Sequence, residues 1–127
     1  MHDNFLVSYE VLCEQREIRL HTQFRDRQPV QHTDVIFCGV EAYHFYHDNF
    51  QTIIFDISEI PAEDILAEHR TRFEEGRRYG WPGVWNDSDA SMRSHLAEQG
   101  VRGFLLSSSF GMCGWILAKS MERISKE

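Results

Sequence analysis

The sequence predicts an α+β fold: a mainly antiparallel sheet of about seven strands with two helices packed on one face, built by a single domain over residues 1–127. Three observations predict it. Strand-like alternation runs as far as Ile57, helical spacing replaces it after Pro61 and again after Asp87, and alternation returns at Val101. Strands, then helices, then strands are the order of an α+β chain. No repeat, linker or low-complexity tract divides it.

In order, the first alternation puts Val7, Tyr9, Val11 and Cys13 on one face, and Leu6 and Leu12 with the polar Ser8, Glu10 and Glu14 on the other. After Glu14-Gln15-Arg16 it resumes with Ile18, Leu20, Thr22 and Phe24 against Arg19, His21 and Gln23, which completes a hairpin with one buried side. The charged stretch Arg25–Pro29 is an exposed connection. Thr33–Cys38 and Val40–His47 are short strands joined at Gly39, where a bulge or tight link is expected. Asp48-Asn49 supplies a turn, and the almost wholly apolar Thr52–Ile57 reads as a central strand covered on both faces.

Pro61 suits the first turn of a helix, and Glu63 and Asp64 complement the positive end of its dipole. Ala62, Ile65, Leu66, His69 and Phe73 form its apolar stripe, Arg77 and Arg78 sit in its last turn, and Gly80 and Pro82 stop it. A loop, GWPGVWNDSD, leads to a second helix that starts at Asp87 or Ser88, carries Met92 and Leu96, and ends at Gly100. Val101–Ser109 and Gly114–Met121 then make a closing hairpin.

A chain of 127 residues buries about two thirds of its unfolded surface, enough for one core. Asp and Glu outnumber Lys and Arg by 20 to 13, and the net charge of −7 repels both a nucleic-acid backbone and an anionic membrane surface. Neither is expected as a partner. No apolar run nears the length of about 20 residues that spans a bilayer, and the first ten residues lack the pattern of a signal peptide, which predicts a cytoplasmic protein. Cys13, Cys38 and Cys113 are odd in number and widely spaced, so buried reduced thiols are expected rather than disulfides or a zinc ribbon.

The densest cluster of chemistry-bearing residues is AYHFYHDN, residues 42–49. His44-x-x-His47 resembles a metal pair, but on a strand residues three apart face opposite ways, so no metal site is predicted. His44 shares a side with Ala42 and Tyr46. It is the one candidate acid/base group, with Glu41, Asp48 or Asp56 as partners and Tyr46 assisting; the plainer reading is a partly buried imidazole with a hydrogen bond. Ser107–Ser109 lacks the glycine of a G-x-S-x-G elbow, no basic residue adjoins a cysteine, and there is no phosphate-binding glycine loop. No cofactor is predicted.

The loop Gly80–Trp85 either plugs the core with its two tryptophans or presents them to a partner. As a contact surface, the candidates are Trp81, Trp85, Glu74, Glu75 and Tyr46; with Trp115, Tyr43 and Phe45 the aromatics would instead line a small-molecule pocket. A protein partner is the expectation, and assembly of identical copies is left open.

The hairpin FLVSYEVLCEQREIRLHTQF, the strand TDVIFCGVEAYHF and the strand TIIFDISEIP, within residues 5–60, resemble small uncharacterised bacterial α+β proteins, among them immunity proteins of contact-dependent and polymorphic toxin systems. The shared features are the first hairpin's alternation, Phe37-Cys38-Gly39-Val40, and the aromatic strand Tyr43-His44-Phe45. The resemblance implies a non-catalytic protein that binds and blocks a toxin domain, and the acidic balance suits a basic, nuclease-like target. It carries over no catalytic or binding residue.

Overall fold

The computed structural model describes residues 3–126. Eight strands are found among them: β1 (Asn4–Leu12), β2 (Glu17–Phe24), β3 (Gln31–Cys38), β4 (Ala42–Tyr46), β5 (Ile53–Ile60), β6 (Arg102–Phe110), β7 (Cys113–Ala118) and β8 (Ser120–Lys126). Between β5 and β6 lie α1 (Ala62–Glu68), α2 (Arg70–Gly76), a 3-10 turn over Arg77–Tyr79, and α3 (Asp89–Glu98). The α+β class stands, with one more strand and one more α-helix than the sequence predicts.

Both extra elements come from breaks inside predicted ones. The helix expected after Pro61 interrupts at His69, whose backbone (φ −108°, ψ 27°) leaves the helical region, and both His69 and Phe73 lie against the indole of Trp115. The last predicted strand breaks at Lys119, whose N–H donates to the carbonyls of Cys38 and Gly39, and the chain then continues as β8.

Every pairing is antiparallel, in the order β4-β7-β6-β5-β1-β2-β3-β8. The two ends of that order are not independent strands. β3 runs into β4 through Gly39 and β7 runs into β8 through Lys119, so the sheet folds over itself into two layers, β1-β2-β3-β8 and β5-β6-β7-β4. Gly39 makes the bend with φ +62°, where a Cβ would stand 2.7 Å from the Lys119 side chain.

Ile18, Leu20, Val35 and Phe37 from one layer meet Ile54, Ile57, Phe104, Leu106 and Ile116 from the other. A second core forms where the helices cover the outside of β4, β7 and β6: Ile65, Leu66, Phe73, Met92 and Leu96 pack on Ala42, Trp115 and Leu117. β7, GWILA after its first residue, is therefore the strand buried on both faces. β5, expected in that role, is not: Phe55 is 51% exposed because the helices stand over β6 and β7 instead.

The first strand also departs from simple alternation. A register shift between Leu6 and Ser8 lets Leu6, Tyr9 and Val11 all pack on the core, and it turns Val7 outward. The β2 alternation holds, with Ile18, Leu20 and Thr22 inside. Cys13, expected to be buried, is exposed at the hairpin's end, and all three cysteines are free thiols.

Candidate functional site

β4 and β8 are the edges of the sheet, and their sequences treat that position differently. An exposed strand edge offers unpaired N–H and C=O groups to any passing strand, and charged side chains are the usual guard. β8, SMERISK, carries Glu122, Arg123 and Lys126; β4, AYHFY, carries no formal charge apart from what His44 acquires on protonation. The unguarded edge is β4.

Beside it runs a groove of about 570 Å³. It is lined by the end of the β1–β2 hairpin, with Val11–Cys13 and Arg16, by Arg72 of α2 with Trp81 and Pro82, and by Ala42, Tyr43 and His44 of β4. The hairpin is placed there by a main-chain bond from the Val40 N–H to the Arg16 carbonyl. Trp81 is fixed by ring packing on Phe73 and Trp115, at centroid distances of 5.2 and 6.3 Å.

Charge along the groove is largely cancelled. Arg16 Nη1 lies 3.5 Å from Glu41 Oε2, Glu17 is held by Arg19, and the other Glu41 oxygen is 3.2 Å from His95 Nε2. Arg72 is exposed, and among the described residues it has no carboxylate partner. Its effect is felt at His44. Burial, then the Arg72 guanidinium, then His69 hold the His44 imidazole below its usual range and so favour the neutral ring.

His44 does share a side with Ala42 and Tyr46: its ring centroid is 5.8 Å from that of Tyr46 and 6.5 Å from that of Trp115. The carboxylates proposed as its partners bond elsewhere. Glu41 serves Arg16 and His95, Asp48 accepts from the Tyr9 hydroxyl at 2.6 Å, and Asp56, three strands away on β5, accepts from Ser58. His47 lies beyond the strand in a turn with φ +57°. Among the described residues no three His, Cys, Asp or Glu side chains gather as a metal requires.

Of the other sequence candidates, Trp81 lines the groove and Tyr46, 41% exposed, stands at the end of β4. Trp85 does not line the groove and packs flat on His95. Glu74 and Glu75 lie on the exposed face of α2, where Glu74 pairs with Arg70 at 2.8 Å. Arg16 and Arg72 were not singled out by the sequence, since charged residues in a turn and on a helix's polar face carry no local mark of a groove. The contrast between an uncharged AYHFY and a charged SMERISK was the available signal.

A second hollow of about 550 Å³ lies between β1 and the loop after β4, lined by Leu6–Tyr9 and Asp48–Phe50. The hydrogen bond to Asp48, more than burial, pushes the Tyr9 phenol up to about 12 and keeps it protonated. No helix among the described residues is long and apolar enough to cross a membrane. No family model matches the chain, and neither the curated proteins nor the solved structures contain a significant match to it.

Proposed function

We propose that this chain is a protein-binding module of the immunity-like kind, which occupies and blocks a partner domain, and that the groove beside β4 is its working surface. One observation carries the reading: β4 is a sheet edge without guarding charges, set along a walled groove in a chain whose other edge is guarded. Tyr43 and Tyr46, exposed on that strand, and Trp81 on the wall are residue types enriched where interfaces gain most of their energy.

The test is site-specific photo-crosslinking in the native host. A benzophenone amino acid replacing Tyr43 is expected to trap one protein partner, and the same group replacing Glu122 on β8 is not. Adducts at position 122 alone, or none at position 43, would sink the proposal.

The second reading is a small-ligand binder or enzyme with His44 as acid/base group, favoured by the position of a neutral imidazole on a groove of ligand size. Tyr46 is the one proposed assistant that stands near it. Native mass spectrometry of the purified protein distinguishes this reading: it expects a co-purifying small molecule that His44→Ala loses.

A further inference from the structure

From the geometry of the β4 groove we infer that its occupant is a single extended segment of the partner that adds a strand to β4 and places an acidic side chain against Arg72. The inference rests on the binding-module reading and specifies how the contact is made.

Strand addition follows from the edge. A segment lying in the groove alongside Ala42–Tyr46 would bond to the unpaired main-chain groups of β4 and extend the β4-β7-β6-β5 layer by one strand. The walls select what can reach that edge. The hairpin end and the Trp81-Pro82 loop both line the groove, so a segment that reaches the β4 edge there meets them as well as the strand. The β4 of a second copy arrives with its own hairpin and its own Trp81-Pro82 loop, so a two-fold β4 pairing sets wall against wall.

The acidic requirement follows from charge. Arg16, Glu17 and Glu41 are satisfied within the chain, which leaves Arg72 as the unmatched formal charge on the groove among the described residues. A carboxylate from the occupant can meet its planar guanidinium through two parallel hydrogen bonds. His44, neutral and within the same groove, adds no competing positive charge and can hydrogen-bond to the segment. The apolar side chains of Val11 and Val40 line the hairpin side of the groove. The matching segment therefore carries Asp or Glu within a run of β-branched residues.

The experiment is a selection from a library of short, linear, random peptides displayed on phage against the full-length protein. Enriched peptides are expected to share an acidic residue within an alternating β-branched run and to shift the backbone amide resonances of Ala42–Tyr46. Affinity for the leading peptide should fall about tenfold or more in Arg72→Glu and by a smaller factor in Arg72→Lys, which keeps the charge but loses the paired hydrogen bonds of the guanidinium. Arg72 is exposed, so both variants should retain the parent unfolding midpoint. Peptides without an acidic residue would overturn the pairing with Arg72, and amide shifts away from β4, or a selection that enriches nothing, would overturn strand addition. A partner trapped at position 43 in a chain that selects no peptide would retain the binding module and discard this mode of contact.

Discussion

The indole of Trp85 lies flat on the imidazole of His95, with ring centroids 4.8 Å apart and planes 7° from parallel. This stack ties the loop after the 3-10 turn to α3, and His95 Nε2 carries the tie onward to Glu41 at the start of β4. Trp85 is half-buried, so its removal should cost less than that of a full core aromatic. Trp85→Ala is expected to lower stability by about 2 kcal/mol, and a double-mutant cycle with His95→Ala should show coupling of about 1 kcal/mol. Urea unfolding followed by circular dichroism measures both. Strictly additive losses would mean that the stack is mere proximity.

On the outer face of the other layer, His21 bridges two carboxylates, with Nε2 2.9 Å from Glu10 and Nδ1 3.0 Å from Asp34, while Lys126 holds the second Asp34 oxygen at 2.7 Å. The bond to Glu10, then that to Asp34, raises the His21 pKa above its ordinary 6.5. Burial pushes Asp34 up, but Lys126 and His21 together outweigh it and hold the carboxyl below 3.8. The His21 contribution to stability is complete below pH 6.5 and is lost as pH rises through the raised folded value; that of Asp34 is present above 3.8 and is lost as pH falls through the lowered one. Wild type should therefore lose more stability than His21→Gln between about pH 5.5 and about pH 8.5. The opposite tendency of His44 is common to both proteins and cancels in the comparison. Equal losses in urea midpoint would refute the network's role.

The parts of this fold that were legible in the sequence are those governed by local chemistry. The start of α3 is one: the Ser88 side chain accepts from the Ser91 N–H, as a cap residue before an apolar-periodic run should. The Gly39 link, the turn at Asp48-Asn49 and the inward face of β2 follow the same logic. What was hidden depends on distant neighbours. The bulge at Leu6–Ser8 turns Val7 outward with no glycine or proline to announce it, and the start of β5, Ile53-Ile54-Phe55, is as apolar as β7 although only β7 is buried on both faces. The position of His44 on one side with Tyr46 was readable from strand period; its groove was not, because the hairpin end and the Trp81-Pro82 loop that wall it come from elsewhere in the chain.

Asn86 is the buried polar group that shapes the tryptophan loop. Its Nδ2 donates to the carbonyls of Phe73 at 2.8 Å and Trp81 at 3.2 Å, and its Oδ1 accepts from Arg77 Nε at 3.1 Å. One side chain thus joins α2, the 3-10 turn and the loop that walls the groove. Asn86→Leu strips partners from two carbonyls and a guanidinium at once, and a loss of about 2 to 3 kcal/mol is expected. Asn86→Asp keeps the acceptor but loses the amide donor to both carbonyls, and should also destabilise. A denaturant midpoint within error of wild type for Asn86→Leu would show that the loop holds its shape without this residue.

The last prediction concerns the charge state of His44. Burial is the largest cause of its lowered pKa, with Arg72 and His69 adding to it, so the folded chain keeps the ring neutral to lower pH than 6.5. A depressed folded pKa means that protonation favours the unfolded chain, and the corresponding stability is lost as pH falls below 6.5. A titration of the imidazole resonances by NMR should place the His44 midpoint below 6.5. Arg72→Ala removes a cation and should move the midpoint upward, though not to the ordinary value, since burial persists. His69→Ala should move it less, because His69 contributes after Arg72. An unmoved midpoint in Arg72→Ala would mean that the guanidinium points its charge away from the groove, and the carboxylate pairing inferred for it would lose its electrostatic basis.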